Sequence, residues 1–172
     1  MGVIVVGVDG SEGAALALDF AIKEAALRGS RLRLVSAWEI PASVLASVVA
    51  GKEFYEEFRE NAIKIAEDAA ALVSEQAPGV EHEEIVAEGH AAKVLLDNAG
   101  DAELLVVGRR GQSTFREMML GSITRHVVAH AEVPLVVVSA TKTPLSSSVT
   151  VAPAMPGSLA SWMPSASRSC QT

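Results

Sequence analysis

Hydrophobic positions along this chain alternate between two kinds of pattern. Val3–Val8 is an unbroken, mostly β-branched run, the signature of a strand buried on both faces. Asp9-Gly10-Ser11 breaks it, and Ser11 is placed to cap an Ala- and Leu-rich helix over Glu12–Arg28 that stops at Gly29. Arg31–Trp38 alternates and then turns apolar, a second strand. After a loop following Pro41, Phe54, Phe58, Ala62, Ile65, Ala69 and Leu72 recur at three- and four-residue steps. They form the stripe of a long helix over Lys52–Ala77, ended by Pro78-Gly79. A third strand is expected near Glu83–Ala87, and a short helix over Ala91–Asn98 closed by Gly100. Glu103–Val107 reads as strand four, Ser122–His130 as a helix, and Pro134–Ser139 as strand five.

Strands and helices thus alternate throughout, which predicts an α/β fold: a parallel sheet with helices on both faces. The strands at Val3 and Leu104 are the most uniformly apolar and belong at the centre. A five-stranded, doubly wound, Rossmann-like sheet in the order 3-2-1-4-5 follows. Ligands of such sheets bind beyond the carboxyl ends of the strands, where the strand order reverses. Here that crevice lies between strands one and four, with Asp9 on one side and Gly108 on the other.

Beyond residue 139 the character changes. Residues 140–172 are rich in Ser, Pro and Ala, carry only Lys142 and Arg168 as charges and show no period. They are expected to be a disordered tail appended to a single domain over residues 1–139. Trp162 and Met163 offer a small docking element within it, although a tail with no folded role is the simpler expectation.

Composition narrows the possible functions. With 49% hydrophobic but only 4% aromatic residues, the core must be built from Ala, Val, Leu and Ile. The formal net charge of −7 argues against nonspecific binding to nucleic acid, and an anionic ligand would need local positive help. A single cysteine, Cys170, excludes an internal disulfide or a multi-cysteine metal site. The N-terminal apolar run lacks a basic flank and is too short for a signal peptide or membrane span. A soluble, cytoplasmic protein with no membrane partner is expected.

The chemistry concentrates between strands four and five. Gly108, two residues, Gly111, nine residues, Gly121 and Ser122 stand between a strand and a helix start. Unpaired amides and the helix dipole favour an anion there, and glycine lets the backbone approach phosphate oxygens. Ser122 and Thr124 carry hydroxyls in the first helical turn, and Arg109 and Arg110 supply charge. No G-x-x-x-x-G-K-[ST] or G-x-G-x-x-G is present, so neither a Walker loop nor a dinucleotide fingerprint applies.

This stretch resembles the universal stress protein family, whose nucleotide-binding members carry G-2x-G-9x-G-[S/T]. "VVGVDGS" and "LVSAW" are similar to the family's first strand and turn and its second strand end. The resemblance covers residues 1–139. It implies ATP binding, with Mg²⁺, in a homodimer that pairs through strand five. Gly7 and Asp9 would meet the adenosine, and Ala37 would offer backbone atoms to the adenine. Gly108, Arg109, Arg110, Gly111, Gln112, Ser113, Gly121, Ser122 and Ile123 would surround the ribose and phosphates. His90 stands where the family often has proline.

Competing readings remain for several residues. Asp9 would bind ribose, adenine or a metal ion, or would only help Ser11 cap the first helix. His126 and His130 have the four-residue spacing of a helical metal pair but no acid between them, and a solvated helix face is expected. Nothing in the sequence aims a base at Ser122, which disfavours a triad with His126 and Asp9. Phe115, Met118, Met119 and Leu120 would flap over the nucleotide, pack at a dimer interface or close the core. A nucleotide-dependent signalling protein is the leading reading. A slow ATPase or nucleotidyl-transfer enzyme using the same crevice is the alternative, since no carboxylate is clearly placed to activate water.

Overall fold

The computed structural model describes residues 1–40, 52–109 and 120–139, apart from the side chains of 52–54. The expected tail, Phe115, Met118, Met119 and the side chain of Phe54 lie outside the described residues. The strands are β1 (Val3–Gly7), β2 (Arg31–Trp38), β3 (His82–Glu88), β4 (Leu104–Gly108) and β5 (Leu135–Val138). The helices are α1 (Glu12–Arg28), α2 (Lys52–Gln76), α3 (Ala91–Asp97) and α4 (Ser122–His130). All pairings are parallel and the order is β3-β2-β1-β4-β5. The doubly wound architecture expected from the sequence is therefore the one observed.

Residue alternation explains the two layers. Ile4, Val6, Leu104 and Val106 face one side and pack against Ala17, Leu18, Ala21, Ile22 and Ala25 of α1 and Ala69, Ala70 and Val73 of α2. Val3, Val5, Leu105 and Val107 face the other and meet Ala92, Val94 and Leu95 of α3 and Val127 of α4. The central strands must be apolar on both faces because helices cover both. Truncating a fully buried side chain such as Ile4 or Leu105 to alanine is expected to cost about 2–5 kcal/mol.

Local signals set most boundaries. Ser11 Oγ accepts from the Ala14 amide at 3.2 Å and caps α1, and Gly29 at φ 65° ends it in the left-handed conformation. Two expectations shift. The buried side of α2 runs through Ala62, Ala66, Ala69, Ala70 and Val73, while Leu72 is 41% exposed. Small residues let α2 lie close to the sheet, so the larger Leu72 drifts off the contact face. Helix α3 ends at Asp97 and is closed by Asn98 as its C-cap, not by Gly100; the Asn98 side chain donates to the Val94 carbonyl at 2.8 Å.

At the amino-terminal end of the sheet, the half-buried Arg33 acts as a clip. Its Nε donates to Glu83 Oε1 at 2.7 Å, and its Nη1 donates to Asp101 Oδ1 at 2.7 Å and to the Asn98 carbonyl at 2.8 Å. These bonds hold the Asp101 carboxyl below its ordinary range and raise the Arg33 guanidinium above its own. One side chain thereby ties β2 to β3 and to the turn before β4, fixing the sheet at the end away from the crevice.

Candidate functional site

The carboxyl ends of β1 and β4 diverge into a crevice with two adjoining parts. The inner one, about 80 Å³, is lined among others by Gly7, Asp9, Ala37, Val107, Gly108 and Ile123. The outer one, about 380 Å³, is bounded by Asp9, Ala37, Trp38, Glu39, Phe58, Asn61, Gly121 and Ser122. Asp9, Ala37, Ala91, Ile123 and Thr124 line both. The crevice is therefore continuous and lies at the reversal of strand order, where α/β sheets hold ligands.

Each expected residue can now be placed. Gly7 ends β1, and a Cβ there would come within 3.1 Å of Leu95 Cδ2. Asp9 Oδ1 accepts from the Ser11 amide at 3.0 Å. Asp9 thus supports the capped turn while also lining the crevice, so its two readings are compatible. Ala37 sits on β2, half-buried and in register with Ala87. Gly108 ends β4, and the backbone of Gly13 in α1 lies directly against it. Arg109 continues the strand's bonding: its amide donates to the Val138 carbonyl at 2.7 Å, and its carbonyl accepts from the Gly121 amide at 3.0 Å. Arg110, Gly111, Gln112 and Ser113 lie outside the described residues.

Gly121 is the N-cap of α4 at φ −58°, ψ 156°, with no side chain to satisfy the first-turn amides. That backbone conformation is open to any residue, so the turn itself does not demand glycine. Its absent side chain leaves the helix start bare, as an anion site requires. Ser122 is exposed at the crevice and Ile123 half-buried beside it.

Thr124 departs from expectation. Its Oγ1 donates to the Gly108 carbonyl at 2.9 Å and lies 3.3 Å from the Arg109 carbonyl. The hydroxyl proton is spent on fastening α4 to the end of β4 and is not available to a ligand. Burial of Thr124 to 3% exposure fits that fastening role.

The outer wall includes residues that sequence reasoning had assigned to helix packing or had left without a role. Phe58, Asn61, Ala62 and Ile65 of α2 reach over the strand ends and close the outer crevice, with Trp38 and Glu39 at the end of β2. The stripe of α2 contained a signal for this, since Phe58 and Ile65 precede the most deeply buried part of the helix. The Trp38 ring is fixed by Tyr55, edge-on at 4.7 Å, and Tyr55 donates its hydroxyl to Glu88 at 2.6 Å. Donating this hydrogen bond to the Glu88 carboxylate raises the Tyr55 pKa above its ordinary value.

The histidines gather on the α3–α4 side. The His126 and His130 rings stack at 4.3 Å and His90 meets His126 edge-on at 6.1 Å, all three exposed. Among the described residues no group of three or more His, Cys, Asp or Glu is arranged to hold a metal ion. Among the described residues no hydrogen bond joins Ser122 to His126, and the Asp9 carboxylate accepts from the Ser11 amide. Among the described residues no helix is long and apolar enough to cross a membrane.

A five-stranded parallel sheet in the order β3-β2-β1-β4-β5, with a crevice at its switch point, makes this a doubly wound α/β protein. The Universal stress protein family model matches residues 1–139. The chain belongs to the universal stress protein family. It is 32% identical over 145 residues to universal stress protein YxiE of Bacillus subtilis, covering 78% of this chain and 97% of that protein. It is 33% identical over 134 residues to a universal stress protein of Mycobacterium tuberculosis, covering 78% of this chain but only 44% of that protein. The chain thus spans less than half the length of its mycobacterial relative. Among solved structures, a universal stress protein in complex with cAMP is similar at TM-score 0.57 and 27% identity, with 80% of this chain and 96% of that one covered.

Proposed function

We propose that this chain is a nucleotide-dependent stress-response or signalling protein that binds ATP in the crevice between β1 and β4. The observation that carries the reading is the bare amino terminus of α4, a nine-residue helix whose N-cap Gly121 offers no capping side chain and opens onto the crevice. Phosphate oxygens accept hydrogen bonds from such amides and are favoured by the helix dipole. The likeness to a family member solved with cAMP supports an adenine nucleotide.

In this reading Gly7, Asp9 and Ala37 meet the adenosine. Gly108, Arg109, Arg110, Gly111, Gln112, Ser113, Gly121, Ser122 and Ile123 surround the ribose and phosphates. A few hydrogen bonds to charged oxygens, each worth about 1.5–3 kcal/mol, together with burial of an adenine face, account for binding near −8 kcal/mol, roughly micromolar. Mg²⁺ is held chiefly by the phosphates and water, with Asp9 the protein carboxylate nearest to that role. The work is done by residues 1–139, with 140–172 as an extension. Two copies associate in the cytoplasm through β5. That strand is the sheet edge beyond β4, its four residues are half-buried, and such an edge pairs readily with another strand.

Denaturing the purified protein and separating released small molecules by chromatography tests the reading. Bound adenine nucleotide is expected. Protein free of nucleotide that also fails to bind added ATP would contradict it. A phosphate-release assay on the same sample distinguishes a binding switch from a slow ATPase: at most weak turnover is expected.

A further inference from the structure

Three of the four histidines in the chain meet at one place that the nucleotide reading leaves unused. His126 and His130 stand one turn apart on the same face of α4, and neither lines the crevice. Their rings stack with centroids 4.3 Å apart and planes inclined by 19°. His90, the N-cap of α3, packs edge-on against His126 at 6.1 Å and limits how far that ring can swing away. All three rings are exposed. His130 Nδ1 lies 2.8 Å from the His126 carbonyl. A carbonyl only accepts, so Nδ1 carries the proton, and the neutral ring keeps a free lone pair on Nε2.

We propose that His126 and His130 form a two-imidazole site for a divalent late transition-metal ion such as zinc, with water completing the coordination. The four-residue spacing alone predicts only a solvated face; the ring contact and the fixed tautomer go further. A metal-bound histidine typically donates its other ring N–H to a carboxylate, a carbonyl or water, which orients the ring and makes the ligating nitrogen more basic. His130 already makes that bond. The terminal torsion of a histidine is broad, so a modest turn of two exposed rings brings both Nε2 atoms to one ion at about 2.0–2.1 Å. Imidazole suits zinc, copper and nickel, whereas magnesium and calcium prefer oxygen ligands. The pair also sits in the last turn of α4, where the helix dipole favours a cation. Only a helical backbone holds the two rings together, so binding stabilises α4, a nine-residue helix too short to persist alone.

The test is calorimetric titration of the metal-stripped full chain with Zn²⁺ alone, for the wild type, His126→Ala, His130→Ala and the double variant, with His82→Ala and Cys170→Ser as controls. Wild type is expected to bind Zn²⁺ and to melt at a higher temperature in its presence. The second imidazole binds as an intramolecular ligand, so either substitution in α4 should weaken binding roughly tenfold or more, with unchanged circular dichroism. Both controls should match wild type. Wild type that binds no Zn²⁺ overturns the inference. Affinity that survives the double substitution, or that falls with Cys170→Ser instead, also overturns it and marks an adventitious ion only. Neither histidine belongs to the proposed nucleotide site, so each of these results leaves ATP binding to its own test.

Discussion

A Cβ added to Gly108 would stand 2.5 Å from the carbonyl carbon and oxygen of Gly13 and 3.0 Å from the Ala14 amide nitrogen. Helix α1 and strand β4 meet there backbone to backbone, and no side-chain rotation can relieve the clash. The first glycine of the Gly108, Gly111, Gly121-Ser122 pattern thus has a packing duty beneath the crevice. Gly108→Ala is expected to lose about 1–3 kcal/mol from overpacking, seen as a lower midpoint in urea unfolding. An unchanged midpoint would mean that α1 can retreat at no cost.

Gly121 is expected to behave in the opposite way. Its φ of −58° suits any residue, so Gly121→Val should fold with little change in thermal midpoint. The branched side chain would occupy the space proposed for a phosphate oxygen. ATP affinity measured by titration should fall sharply, and unimpaired affinity in the folded variant would contradict the proposed pose.

Thr124 joins the two behaviours. Replacing it with valine keeps the shape but removes the donor to the Gly108 carbonyl. Leaving that part-buried acceptor without its donor should cost about 1–3 kcal/mol, measured by chemical denaturation. ATP affinity should follow only as far as the start of α4 moves. A large loss of affinity without loss of stability would show instead that the hydroxyl meets the ligand.

The clip at the far end of the sheet gives a pH dependence. The hydrogen bond from Arg33 lowers the Asp101 pKa in the folded state. Its contribution is therefore present above the ordinary carboxylate range and is lost as pH falls through the lowered value. Asp101→Asn should melt below wild type near neutral pH, and the gap should narrow below about pH 4. A gap that stays constant through that range would mean that the charge on Asp101 contributes nothing.

Much of this was legible in the chain because the signals were local and redundant. The β-branched runs at Val3 and Leu104, the Ser11 cap and the Gly29 stop each fixed an element by short-range chemistry. The central placement of β1 and β4 followed from their being apolar on both faces. The glycine spacing led to the crevice because one strand end and one helix start flank it. The hidden parts depend on contacts between distant segments. Thr124 reads as a donor until its neighbours are known to be the carbonyls at the end of β4. Likewise, Phe58 and Asn61 sit on a helix whose tilt over the strand ends no periodicity encodes. Leu72 leaves the buried side for the same reason: a stripe gives the face, but the close approach of small residues sets its centre.

The most direct measurement is a crystal structure of the protein with ATP and magnesium. Phosphate oxygens lying within hydrogen-bonding distance of the main-chain amides at Ser122 and Ile123, beside Gly121, with adenine next to Ala37, are the expected result. A nucleotide found elsewhere on the molecule, with side chains filling the mouth of α4, would contradict it.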